Sequence, residues 1–222
     1  MLSVATAVAI SLPFILNDIF SCKCFHVNEK FKMDVGRDYH GSRDIDIGFH
    51  VDSEISAKSI QKSSIKKIVS VLKSRNFFPL GSRYVACHSI ETKERLTEEE
   101  SKSYHLHELF YHYVDPIVDQ LSDSVEKVFG FKPIDEKLLR YVFNDNMFVT
   151  VKAFGLCLKL PTPEVLLATK INAVQGRGVG KEDKRIEDIV DIYALIWYSG
   201  IEIDDLVDRI LKILYKRQVL IY

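Results

Sequence analysis

The sequence predicts an α/β (α+β) chain with a helical C-terminal part, and three observations carry that expectation. Short β-favouring segments, among them KFKMDV, DIDIGFHV and RYVACHSI, recur through the first half of the 222 residues. Two further candidate strands, MFVTVKAF and LCLKL, flank Gly155. Capped stretches of helical periodicity then fill the last third. With 47% apolar residues, the chain can bury one substantial core. The expected organisation is a core over residues 1–160 and a helical part over 161–222 packed on it, or one continuous domain.

The opening MLSVATAVAISLPFIL carries no early Lys or Arg and is interrupted by Pro13. Polar Asn17 and Asp18 arrive before the roughly 20 residues a membrane span needs, so a buried helix and no membrane partner are expected. KFKMDV and DIDIGFHV flank the turn-forming GRDYHGS. Ser53 can cap a helix running through IQKSSIKKIVSVLKS, where Ile60, Ile65, Ile68, Val69 and Leu72 recur at helical spacing. After the Gly81-Ser82 turn, RYVACHSI reads as a strand, and ETKERLTEEESKS as a charged, exposed excursion. HLHELFYHYV is aromatic and β-favouring, and PIDEKLLRYV reads as a short helix opened by Pro133. LPTPEVLLATKINAVQGR starts a helix with Thr162 as cap, Pro163 in the first turn and Glu164 facing the positive end of the backbone dipole. The basic loop GRGVGKEDKR leads into a helix through IEDIVDIYALIWYSG that ends at Gly200, and DDLVDRILKILYKR closes the chain.

Thirty basic side chains against 31 acidic ones leave a net charge of −1, so no global field announces a nucleic-acid or membrane partner. Cys22, Cys24, Cys87 and Cys157 are too scattered for a disulfide scaffold, which makes a reducing, cytoplasmic setting the expectation. No G-x-x-x-x-G-K-[ST] loop and no G-x-S-x-G elbow occurs, which argues against a P-loop ATPase and a serine hydrolase. Cys22, Cys24 and His26 lack a second pair at zinc-finger spacing.

The segment GSRDIDIGFHV carries the chemistry. Side chains two apart in a strand share a face, so Asp44 and Asp46 sit together while Ile45 and Ile47 point to the core. Two adjacent carboxylates repel, and a divalent cation such as magnesium or manganese would neutralise them. Gly41 and Ser42, just ahead of the pair, supply a bend and backbone amides able to meet phosphate oxygens. Downstream, Lys170 and Arg177 are two helical turns apart on one stripe, and Asp188 and Asp191 share a face of the next helix. In isolation these are the salt bridges of ordinary solvated helices. The basic groups from Lys58 through Lys62, Lys66, Lys67 and Lys73 to Arg75 suit an RNA backbone or a solvated helix face.

Taken in order, S-x-D-I-D and then P-E-x-L-L-A-x-K-I-x-A, Arg177, a basic loop and E-D-I-V-D-I-Y-A-L resemble the AbiEii type of nucleotidyltransferase within the polymerase-beta-like superfamily. The resemblance covers roughly residues 34–52 and 160–196. It implies a nucleotidyltransferase-type mixed β-sheet core, magnesium on Asp44 and Asp46, Lys170 on the triphosphate of an NTP substrate, and Asp188 or Asp191 completing the site. It further implies nucleotide transfer to an acceptor, RNA (often tRNA) or protein, by the toxin of a toxin–antitoxin pair with an antitoxin protein as partner. A third metal-facing carboxylate is expected on a neighbouring strand: Asp115 in YVDPI fits best, although Pro116 argues against a central strand there, and Glu108 and Asp119 are the alternatives. The family's Gly-Gly or Gly-Ser turn ahead of the acidic pair has no match; Val35-Gly36-Arg37 stands nearest. That departure leaves room for a non-catalytic module that keeps the fold and binds nucleotide or RNA.

Overall fold

Why β2 (Asp44–Phe49) takes its place is clear from the strands around it. Its DIDIGF alternation gives one polar and one apolar edge of side chains, and β6 (Leu109–Val118) offers a matching ladder. The computed structural model of the chain describes residues 7–9, 44–52, 57–153 and 156–219. Among them, a mixed sheet runs in the order β1-β2-β6-β4-β3, where β1 is Ala7–Ala9, β3 is Phe78–Leu80 and β4 is Arg83–Ser89. β5 (Arg95–Leu96) adds to β4, and β7 (Ile134–Asp135) adds to β6. The β2–β6 pair is parallel, while β1 on β2 and β4 on β6 are antiparallel. Helices flank the sheet, so the α/β class predicted from sequence is what the chain adopts.

The chain forms two compact units: residues 1–137 with 150–159, and residues 138–149 with 160–222. In the first, the apolar edge of the central strands is covered by helices α1 (Ala57–Ile60), α2 (Ser64–Ser74) and α4 (Asp123–Phe129). Phe49, Tyr84, Val114 and Val118 from the sheet meet Ile60, Ile65, Val69, Val125 and Phe129 from the helices, all buried. Phe49 and Phe129 pack edge to face at 5.6 Å, and the Tyr84 hydroxyl donates to the Phe129 carbonyl at 2.6 Å. That burial also pushes the Tyr84 phenol up to about 12. Gly130, at φ 86°, ends α4 in the left-handed conformation that glycine takes without a Cβ penalty. In the excursion after β4, the Thr97 hydroxyl and the Glu100 side chain close a capping box on the short helix α3 (Glu98–Ser101). β8 (Phe148–Ala153) and β9 (Leu156–Pro161) pair as a two-stranded sheet, as the sequence around Gly155 indicates.

In the second unit, α5 (Leu139–Asn144) and α8 (Ile203–Val219) both contact α6 (Pro163–Gly176), which also packs along α7 (Glu182–Tyr198). Thr162 stands at the N-cap of α6 without a side-chain bond; its carbonyl accepts from the Val165 and Leu166 amides, both at 3.1 Å. α7 has an inverted polarity. Asp188 lies on its buried side, whereas Ile186, Ile189, Val190, Tyr193 and Trp197 are exposed in one row.

Four expectations need correction. Residues 7–9 form a strand on β2 rather than part of a helix, because the edge at Ile47 to Phe49 provides a ladder for an apolar run with no helical period. The helix expected over 60–74 is broken in two where the Ser63 hydroxyl turns back to the Ile60 carbonyl at 2.6 Å; Ser53 lies outside the described residues. Pro133 opens no helix, since Ile134 and Asp135 are captured as a strand by Ile117 and Val118, and α5 starts at Leu139. Pro116 does sit inside a central strand. It falls after β4 pairing stops at Val114 and before β7 pairing begins at Ile117, so its missing N–H interrupts neither ladder.

Candidate functional site

Register decides which of the predicted residues meet. In the parallel β2–β6 pair, Asp44 lies opposite Tyr113 and Asp46 opposite Asp115. Directly paired residues project to the same side of a sheet, so three carboxylates occupy one face, the one opposite to the Phe49–Val118 core. Antiparallel pairing of Tyr84 with Val114 brings Arg83, the first residue of β4, to the position beside Asp115. Its Nη2 donates to Asp115 Oδ2 at 2.7 Å, its Nη1 is 3.8 Å from Asp44 Oδ1, and its guanidinium lies 4.7 Å from the Tyr113 ring centre. The face grades from solvent into the protein: the Asp44 side chain is 40% exposed and that of Asp115 only 7%. Ile47 packs against the core, but Ile45 is 42% exposed, because β1 pairs only with Ile47 to Phe49.

The other two candidates for a third carboxylate are used locally. Asp119 is fully buried, accepts from the Val51 amide at 2.8 Å and sits 2.5 Å from His50 Nδ1, while its own amide donates to the Phe49 carbonyl. It clasps the end of β2 to the end of β6. Glu108 accepts from the His105 amide at 2.7 Å in an exposed turn. Asp115 is therefore the acid that the sheet places beside Asp46.

Hard carboxylate oxygens on Asp44, Asp46 and Asp115 are the donor chemistry magnesium prefers. Among the described residues, however, no group of three or more His, Cys, Asp or Glu side chains is gathered as a metal centre, and the guanidinium of Arg83 stands at Asp115 in the role a cation would fill. Gly41, Ser42, Gly36 and the Cys22, Cys24, His26 group lie outside the described residues.

A second charged cluster lies within the second unit. Lys170 Nζ, on α6, is 2.6 Å from Asp191 Oδ2 and 3.2 Å from Asp188 Oδ1, both on α7. Arg177 approaches the same Asp188 through Nε at 2.9 Å and Nη2 at 2.8 Å. The sequence places Lys170 and Arg177 on one helical stripe; they do converge, although α6 ends at Gly176 and Arg177 reaches Asp188 from extended backbone. Arg185 Nη2 in turn donates to the Arg177 carbonyl at 2.9 Å, bracing the turn between the helices. Burial alone would lower the Lys170 ammonium's pKa, but Asp191 and then Asp188 outweigh it and hold it above 10.5.

Two residues escape sequence reasoning. Arg83 sits at the start of a strand with nothing local to mark it, and its partner Asp115 is 32 positions away. His50 follows the D-I-D-I-G-F segment directly, and its partner Asp119 is 69 positions away.

No protein-family model matches the chain, and no curated protein does. The solved structure of an antigenic nucleotidyltransferase-like protein from Paracoccidioides brasiliensis is similar to it at 15% identity and a TM-score of 0.38, over 96% of this chain and 92% of that one. Among the described residues, no helix is long and apolar enough to cross a membrane.

Proposed function

We propose that the chain is a metal-dependent nucleotidyltransferase that moves a nucleoside monophosphate from an NTP to an acceptor. The observation that supports this best is the alignment of Asp46 with Asp115, next to Asp44, on an accessible face of a parallel strand pair. In this reading Asp44 and Asp46 hold magnesium or manganese and Asp115 assists. When bound, the metal would supply charge neutralisation on the phosphates and a lower pKa for the acceptor hydroxyl. Lys170 and Arg177 bind phosphate oxygens, Asp188 and Asp191 fix the directions of those two cations, and Gly41 and Ser42 contribute backbone amides. The acceptor is RNA, tRNA in the first instance, or protein. A toxin role with an antitoxin partner, in the cytoplasm, follows from the same family resemblance.

The deciding experiment incubates the protein with each labelled triphosphate, magnesium or manganese, and total RNA or protein. Label should pass to one acceptor class, and Asp46→Asn should abolish the transfer. Transfer at the wild-type rate in that variant sinks the scheme.

A second reading, a binding module that retains the fold without catalysis, draws support from Arg83, whose guanidinium already neutralises Asp115. Thermal-shift titration separates the two. Stabilisation by triphosphate only with metal present supports the enzyme, and RNA binding indifferent to metal supports the module.

A further inference from the structure

We propose that the part of the sheet beyond α2 is a stacking platform for a single-stranded nucleic acid, with bases against His112 and Phe110 and backbone phosphates on Arg75, Arg95 and Lys73. Strand register builds the surface. Arg95 of β5 pairs with His88 of β4, His88 pairs with Phe110 of β6, and Ala86 pairs with His112. Paired residues share a side, and Ala86 and His88 alternate in step with Tyr84, so all of them lie on the Tyr84 face, opposite to Asp115. Helices cover that face at Tyr84 and Val114, but His112 and Arg95 are exposed, and His88 and Phe110 are half-buried. The His112 ring meets His88 edge to face at 5.2 Å and Phe110 at 4.9 Å, which holds three rings side by side. The Arg95 guanidinium lies 4.5 Å from the ring centre of Phe77, just past the end of α2.

Charge makes the partner an anion. Between Glu54 and Glu91 the chain has no acidic residue, whereas Lys58, Lys62, Lys66, Lys67, Lys73 and Arg75 follow one another there. Among the described residues none of these, nor Arg95, joins an ion pair. Burial and then the Arg75 charge hold the Arg95 guanidinium below its ordinary value; burial, His112 and Arg95 do the same to His88. Cations therefore crowd one another here, in a chain whose net charge is −1. The last turn of a helix attracts basic groups, but that accounts for Lys73 and Arg75 alone; Arg95 comes from the sheet. A simple polyanion needs no rings. Aromatic rings set among cations suit unpaired bases on a phosphate backbone, because every base has a face to stack.

Fluorescence anisotropy of the full chain with short labelled oligouridylate and oligothymidylate, magnesium held constant, tests this. Affinity should fall with salt at a log–log slope of about −2, the value for three phosphates on a single strand. Arg75→Ala should weaken binding about threefold or more and flatten that slope by about 0.7, and Arg95→Ala should do the same. His112→Ala should weaken binding about fivefold or more at an unchanged slope, and His112→Phe should restore it, since a ring is what the base needs. Circular dichroism confirms that each variant keeps its fold. Binding of either oligomer in this pattern upholds the proposal, and the tighter of the two names the strand. No binding, binding that both arginine variants or His112→Ala leave unmoved, or equal affinity for inorganic polyphosphate overturns it. So does capture by phosphatidylserine vesicles in place of oligonucleotides, which would assign the face to a membrane. The platform lies on the opposite side of the sheet from Asp46 and Asp115, so binding without nucleotide transfer leaves it standing, and transfer without binding sinks it alone.

Discussion

The two charged clusters are built from the same residue types and behave as opposites. On the strand face of the first unit, Asp115 and Asp44 meet one arginine while Asp46 lies opposite Asp115, and exposure rises from Asp115 to Asp44. Between α6 and α7 of the second unit, two cations meet two acids, and the acid at the centre, Asp188, is 4% exposed. The first cluster sets carboxylate beside carboxylate at Asp46 and Asp115 and opens toward solvent at Asp44, which suits the proposed cation. The second is internally neutral and mostly enclosed, the properties of a fitting that fixes side-chain directions. Charge at a site thus says less about its role than the balance of charge and burial does.

The comparison can be broken by substitution. Asp46→Asn should cost about 100-fold or more in nucleotide transfer, because a carboxylate on the metal is lost, while the melting temperature stays within about 3 °C. A large melting shift without loss of activity would reverse the assignment of the strand face. Asp188→Ala should also lower stability to urea, by about 2–3 kcal/mol, since Lys170 and Arg177 are left without their shared acid, and transfer should fall with it as those two cations lose their fixed directions. Arg83→Ala should cost about 1–2 kcal/mol, the lower figure reflecting a side chain one third open to water. The same change should tighten manganese binding, read by water proton relaxation, because the competing guanidinium is gone. Weaker manganese binding in that variant would show that Arg83 positions Asp115 instead of competing for it.

The smallest effect concerns pH. Lys170 is held above its ordinary value, so the protonated form is favoured in the folded state. Its contribution to stability is complete below the unfolded value and is lost only as pH rises through the higher folded one. The stability difference between wild type and Lys170→Met should therefore be flat at neutral pH and shrink above about pH 10.5 in chemical denaturation.

Much of this was legible in advance for a physical reason: β2 alternates acid with apolar residue, β4 and β6 are runs of β-favouring residues, and the C-terminal helices are bounded by Thr162-Pro163 and by glycines in the turns between them. Lys170 with Asp188 and Asp191 was readable because neighbouring helices joined by a short loop bring nearby segments together. What sequence could not supply was strand order. Whether Pro116 falls between two ladders, whether Arg83 or another residue stands beside Asp115, and where Ile134 pairs all depend on which strands become neighbours. That choice is made by the whole core. The opening segment misled for a related cause, since Ala7 to Ala9 has no intrinsic signal and takes its conformation from the edge it meets.

Alternation along β2 has a last consequence, for misfolding. Because Asp44 and Asp46 interleave with Ile45 and Ile47, a slide of β2 by a single position against β6 would drive a carboxylate in among Phe129, Val114 and Val118 and turn Ile47 out to water. Such a slipped sheet forfeits apolar burial and strands a charge at once, so the acids proofread the alignment of the strand that carries them.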